Sequence, residues 1–404
     1  MSTAAYKWWV VAMLWWVCFF NYADRQAIFS VFPLLKSELD LSDVQLGMAG
    51  ASFMWMYALF GPVAGWLGDR LSRKGLILGA LVFWSGVTAA SALSHTFWQL
   101  TLCRALGGLG EAFYFPASMS LIGDYHTGAT RSRAMAFHQS SVYAGTIGGG
   151  VCSGWIAQNY GWRPMFVWFG VLGAALGVVL IGLLREPVRG VAEQKPLRAV
   201  PAPPLGQLLR QILGVRTVVL LISAFIGANF VAMVFLTWMP SYLHRTFGMN
   251  LSMAGFNATA YLQTASVLGV LSGGILADSL SRHRRGARAF TQSIGLFCGV
   301  PFLFITGRSL SVPILVTAMA CFGYFKGLYD ANIFASLYDV VAVEVRAAAA
   351  GLLNSLGWLG AGFAPVLVAA ASQRYGMSVC LSATSVIYLA CAILLARASR
   401  LRRA

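Results

Sequence analysis

Long apolar runs, broken at intervals by charged residues or by Gly and Pro, divide the chain into twelve segments. They cover residues 8–31, 44–68, 75–94, 97–124, 132–158 and 162–184, then 217–242, 252–278, 288–307, 311–339, 347–372 and 376–397. A helix of about 20 apolar residues crosses the hydrocarbon core of a bilayer. In lipid every backbone N–H and C=O must find a partner within the chain, so runs of this kind predict helices. The expected fold is an all-α membrane protein of twelve transmembrane helices in two six-helix bundles. The first bundle takes residues 1–184 and the second 217–404. Residues 185–216, rich in Arg and Pro, form the expected cytoplasmic linker.

Composition agrees with the pattern. Of 404 residues 58% are hydrophobic and 10% charged, against about 25% charged in a soluble domain. The net charge of +16 would suggest nucleic acid in a soluble chain. Here placement matters more than the sum. With the N-terminus in the cytoplasm, 21 of the 29 Lys and Arg fall in cytoplasmic segments, 5 in outer loops and the rest inside spans. That bias puts both termini inside and accounts for the charge without a nucleic-acid partner. The expected location is the cytoplasmic (inner) membrane, as a multi-pass protein. The first apolar run lacks a small-residue cleavage site, so it is expected to be a retained helix.

The seven cysteines lie in apolar stretches without metal-ligand spacing and read as packing residues. Gly107-Gly108-x-Gly110 lacks the strand and spacing of a dinucleotide loop. No nucleophile elbow or His/Glu cluster is present. The chain is therefore expected to be no enzyme and to carry neither metal nor cofactor.

The two halves echo each other. Gly65-Trp-Leu-Gly-Asp69-Arg70-Leu-Ser-Arg73 matches Gly274-Ile-Leu-Ala-Asp278-Ser-Leu-Ser-Arg282. Arg133-Ala134 matches Arg346-Ala347, and Gln158-Asn-Tyr160-Gly161 matches Gln373-Arg-Tyr375-Gly376. Three echoes in order, all near loops, indicate a parallel repeat of the kind that rocks about a site near the midplane.

Ionisable side chains deep in a span cost roughly 2.5 to 3.5 kcal/mol each. The set here is small: Asp24 and Arg25 in the first span, Arg104 and Glu111 in the fourth, Lys326 and Asp330 in the tenth. Arg25 suits a carboxylate clamp, because guanidinium binds carboxylate bidentately. Asp24 and Glu111 suit proton carriers, with Arg104 as a movable counter-ion that pairs with either. The alternative is that the two acids and two arginines are static pairs, Asp24 with Arg25 and Arg104 with Glu111. Lys326 aligns with Glu111 across the repeat. A charge pair with Glu111, a second positive site for a dianion and simple neutralisation by Asp330, one turn on, are all open. Gln139, Ser140, Asn229, Gln263, Asn332 and Asn354 are candidates to hydrogen-bond substrate hydroxyls. Among them Asn354 stands out, because Gly351 and Gly357 are expected to bring its helix close to a neighbour. His138 is expected to be packing. Glycines 107, 108, 110, 145, 148, 149 and 150 are expected at tight helix crossings.

The loop from Gly65 to Lys74 resembles the signature between helices 2 and 3 of the major facilitator superfamily. That resemblance implies a cytoplasmic gate held by Asp69, Arg70 and Arg73, with Asp278 as its weaker copy. Asn21-Tyr22-Ala23-Asp24-Arg25 resembles the helix 1 motif of the anion:cation symporters, which carry sugar acids and other carboxylates with protons. Arg104-x₆-Glu111-Ala112-x₃-Pro116-Ala117, Gly161-Trp162-Arg163 and Gly351-x₂-Asn354-x₂-Gly357 are similar to the same family. The resemblance implies substrate contacts from Tyr22, Arg25 and Tyr57, and proton coupling through Asp24, Glu111 and Arg104. Gly110-Glu111-Ala112-x-Tyr114 and Arg131-Ser-Arg133 resemble Spinster lysolipid transporters at least as closely. The expected function is proton-linked transport of a small organic anion by a monomer. Transport of a lysolipid or related amphiphile is the alternative.

Overall fold

The computed structural model describes residues 3–401 apart from 69, 127, 188–204, 285 and 343–344. The chain is helical, with no strand among the described residues. By internal packing it divides into Met1–Val200 with Gly248–Phe256, and Pro201–Phe247 with Asn257–Ala404.

The first unit is built from α1 (Thr3–Ser30), the short α2 (Phe32–Glu38), α3 (Asp43–Gly68), α4 (Arg73–Ser91), α5 (Phe97–Ala112), α6 (Tyr114–Tyr125), α7 (Gly128–Tyr160) and α8 (Trp162–Leu183). Local chemistry sets the boundaries. Thr96 and Gln99 form a capping box at the start of α5. The N-terminus of α4 is capped twice. Ser72 Oγ accepts from Gly75 N at 3.0 Å. The Glu186 carboxylate, just beyond α8, accepts from Arg73 N at 2.9 Å and Lys74 N at 2.6 Å. A carboxylate there meets the positive end of the helix dipole. The expected span 97–124 is broken at Phe113, between α5 and α6. Pro116 explains the break: its ring clashes with the carbonyl four residues back and it donates no N–H.

The second unit holds α9 (Leu205–Leu213), α10 (Arg216–Phe247), most of α11 (Leu251–Ser281), α12 (Ala287–Arg308), α13 (Val312–Asp330), α14 (Ile333–Tyr338), α15 (Arg346–Ala361), α16 (Phe363–Tyr375) and α17 (Met377–Leu401). Helix α9 lies inside the expected linker, whose residues 188–204 are outside the described residues. Its leucines and Ile212 recur at helical spacing, and that periodicity prevails over the surrounding Arg and Pro. The break at Gly362 stands three residues before Pro365, as Phe113 stands before Pro116. The echoing glycines also behave alike. Gly161 (φ +91°) and Gly376 (φ +80°) both adopt the positive φ that glycine tolerates, and each opens the next helix.

Nine helical segments among the described residues are long and apolar enough to cross a membrane. The expected spans outside that set are α1, α5 with α6, and α7. The break leaves α5 and α6 short, and charged, Trp, Ser and Gly residues make α1 and α7 less apolar. Two of these helices, α1 and α5, hold the charged cluster described below.

Close packing needs glycine at the crossings. A Cβ on Gly108 of α5 would lie 2.2 Å from the Phe53 carbonyl oxygen of α3, and one on Gly149 of α7 would lie 2.4 Å from that of Ala23 in α1. In the second unit Ser266 donates from α11 to the Gly323 carbonyl of α13 at 3.0 Å. Ser293 donates from α12 to the Ala392 carbonyl of α17 at 2.8 Å. Such bonds hold helices together where lipid gives no hydrophobic drive.

Gly108→Val should push α5 off α3 and destabilise the fold by about 1–3 kcal/mol. Gly65→Ala, with nothing within 4 Å of the added carbon, should be tolerated. Thermal unfolding of the two variants in detergent, followed by loss of monodisperse protein, checks the contrast.

Candidate functional site

In the first unit α1, α3, α4 and α5 bring four charged side chains into the interior. Arg25 Nε donates to Glu111 Oε2 at 2.5 Å, with the Glu111 side chain fully buried and that of Arg25 9% exposed. Arg104 Nη1 lies 3.9 Å from Asp24 Oδ1, and both side chains are buried. Thr88 of α4 donates to Asp24 Oδ2 at 2.6 Å. Asp24 Oδ1 and Glu111 Oε1 are buried and accept from no hydrogen-bond donor.

Aromatic rings wall the cluster. The Arg25 guanidinium lies 4.7 Å from the Tyr22 ring centroid, 4.4 Å from Tyr57 and 5.1 Å from Phe53. Arg104 approaches the same Phe53 ring at 4.8 Å. Cation–π contact favours a guanidinium that has lost water.

The pairing differs from the static alternative. Arg25 pairs with Glu111 and Arg104 with Asp24, crosswise between helices and not along the sequence. An axial-rise estimate puts Glu111 about two turns below Arg104, but the long Arg25 side chain spans the difference. Thr88 and Phe53 were not singled out from sequence. Phe53 was legible as one turn before Tyr57, on whose ring it stacks at 6.4 Å. Nothing in the apolar run 75–94 separates Thr88 from Ser85 or Ser91.

Each of the other expected residues has its own setting. Gln139 and Ser140 are exposed on α7. His138 is fully buried, with Nε2 2.8 Å from the Tyr114 hydroxyl, which in turn donates to the Leu14 carbonyl. Lys326 pairs with Asp330 within α13, and Glu111 is held by Arg25. Asn332 donates to the Gly273 carbonyl at 3.1 Å, a bond between helices. Asn229 and Asn354 are half-buried on α10 and α15. A Cβ on Gly357 would meet Phe225 at 2.2 Å and Asn229 Nδ2 at 2.9 Å, but Gly351 has nothing within 4 Å. Only one of the two glycines beside Asn354 therefore sits at a close approach.

Of the expected gate residues, Asp69 lies outside the described residues. Arg70 stacks on the Trp66 ring at 3.9 Å. Arg73 pairs with Asp124 of α6 and donates to the Ser120 carbonyl at 3.3 Å. Asp278 is largely exposed, 3.6 Å from Arg288.

Described residues that are helical apart from turns, bends and short connections, with nine apolar spans among them and a buried cluster of opposite charges, make a polytopic membrane protein with a polar interior site. Residues 14–312 match the sequence profile of the Major Facilitator Superfamily, and the chain belongs to that family of membrane transporters. It is 26% identical over 394 residues to the "Probable galactarate/D-glucarate transporter GudP" of Escherichia coli (strain K12), covering 90% of this chain and 86% of that one. It is 26% identical over 358 residues to the "Hexuronate transporter" of Bacillus subtilis (strain 168), covering 86% and 83%. It is 29% identical over 321 residues to "Protein spinster homolog 1" of Homo sapiens, covering 74% of this chain and 59% of the human protein. In fold it is similar to a bacterial homolog of the human lysosomal transporter Spinster, solved inward-facing and unoccupied. The TM-score is 0.86 at 22% identity, over 98% of this chain and 97% of that one. The relatives are transporters, not enzymes.

Glu111→Ala leaves the Arg25 charge buried without its carboxylate. It should cost about 3–5 kcal/mol of stability, whereas Glu111→Gln, which keeps an acceptor and the volume, should cost less. Unfolding of the two variants side by side measures the difference.

Proposed function

We propose that this chain moves a small organic anion, a carboxylate or sugar acid, across the cytoplasmic membrane together with protons. It does so by alternating access of a twelve-span fold with both termini in the cytoplasm, and a monomer suffices. The observation that carries the reading is the buried cluster of Asp24, Arg25, Arg104 and Glu111.

Charge balance supplies the coupling. With both acids ionised the cluster is neutral. Adding one proton makes it positive, and a carboxylate then restores neutrality. Two protons and a dianion balance equally well. Because unbalanced charge in a dry site is costly, proton and anion are bound together or not at all. The anion takes Arg25 from Glu111, which holds the proton in exchange. Arg104 stays with Asp24 as its counter-ion. Tyr22, Tyr57 and Gln139 supply further contacts from the first unit. Asn229, Lys326 and Asn354 supply them from the second. Asp69, Arg70, Arg73 and Asp278 serve the cytoplasmic gate. The sugar-acid transporters among the relatives support this substrate class. Proton-linked movement of a lysolipid or similar amphiphile is the second reading, favoured by the 29% identity to the human spinster homologue.

Purified protein in liposomes loaded with a pH-sensitive dye tests the proposal. Adding D-glucarate, D-galactarate, hexuronates or small carboxylic acids outside should drive protons inward. Glu111→Gln and Arg25→Ala should each reduce the signal at least 100-fold, as expected when a charge-assisted contact worth about 3 kcal/mol is lost. No proton movement with any anion, together with transfer of labelled lysolipid, would establish the second reading instead.

A further inference from the structure

On α1, Trp15, Phe19 and Tyr22 follow one another at intervals of four and three residues, a single helix face. The Trp15 and Phe19 rings are stacked, with centroids 5.7 Å apart and planes at 17°. Phe137 of α7 stacks on Trp15 at 6.4 Å and 29°. Together they form a continuous aromatic shelf. Its upper end is Tyr22, whose ring lies beside the Arg25 guanidinium.

The shelf is fixed in place. Trp15 Nε1 donates to Ser140 Oγ at 2.9 Å, and that hydroxyl donates to the Phe137 carbonyl at 2.7 Å. A Cβ on Gly148 of α7 would lie 2.8 Å from the Phe19 ring, so backbone backs that ring directly. Phe137 is nevertheless 49% exposed, and Ser140 follows it on the same face of α7. A rigid, open aromatic surface that runs up to a carboxylate-binding arginine has an evident complement. It is the flat apolar body of the same ligand.

We propose that Trp15, Phe19 and Phe137 form a stacking site for an aromatic ring of the transported carboxylate, and that arylalkanoates are a substrate class of this protein. The inference rests on the anion-transport reading above. Tyr22 follows Phe19 on α1, and it is the Tyr22 ring, not the Phe19 ring, that meets the Arg25 guanidinium. A ring on the shelf therefore needs a short carbon chain between it and the carboxylate. Benzoate is too short, and a polyhydroxy acid offers the shelf no flat apolar face to stack.

The test compares 4-phenylbutanoate, benzoate and D-glucarate as drivers of proton entry in the dye-loaded liposomes. 4-Phenylbutanoate should show a lower KM than benzoate. Phe137→Ala and Trp15→Leu should each lower the preference for 4-phenylbutanoate over D-glucarate about ten-fold, the scale of an aromatic contact with its buried area. Trp15→Phe, which keeps a ring, should restore most of that preference and shows that folding is not at issue. If D-glucarate moves protons and neither aryl acid does, or if the variants shift all substrates together, the stacking site falls while the transport reading stands. If none of the three moves protons, the stacking site falls, and the transport reading falls with it only if the wider set of anions also moves none.

Discussion

The cost of an unpaired charge away from water governs the first unit of this protein. Four ionised groups sit where insertion of each is expensive, and they are tolerable only because they neutralise one another across α1 and α5. The surrounding architecture serves that neutralisation. Gly108 brings α5 against α3, so that Phe53 lies beside both guanidinium groups. Gly149 brings α7 against α1, just behind Asp24. Thr88 satisfies the Asp24 oxygen that Arg104 does not reach. A cluster balanced this closely responds to any added charge, and a response to added charge is what coupling a proton to an anion requires.

The end of the same unit where α4 begins is organised by a second set of charges. Arg73 reaches Asp124 and the Ser120 carbonyl at the end of α6. Glu186 closes the start of α4 from beyond α8. Three helices that are distant in sequence are thereby tied together at one end of the unit.

Much of this was legible in the sequence, for physical reasons that differ by residue. Apolar runs located the helices because lipid leaves the backbone no alternative. The echo of Gly161 and Gly376 marked a repeat, and the positive φ that both adopt is a further likeness that the echo did not specify. Lys326 and Asp330 were readable as a pair from their spacing of four. The crosswise pairing of Arg25 with Glu111 was not, because rise per residue locates Cα atoms and says little about where a long guanidinium side chain ends. Thr88 left no mark, since one hydroxyl in an apolar run costs little and carries no periodicity. Phe113 and Gly362 as helix breaks follow from Pro116 and Pro365, but many spans keep a proline without breaking, as α3, α10 and α12 do here.

The Glu186 cap also bears on where the chain can be cut after α8. Helix α8 stops at Leu183, yet the amides that open α4 depend on a carboxylate three residues later. A fragment cut at the helix boundary would strand those N–H groups, while one that continues through Pro187 keeps them satisfied. Any attempt to express the two halves as separate chains, or to insert a reporter between them, thus has its first usable junction after the acid and not after the helix.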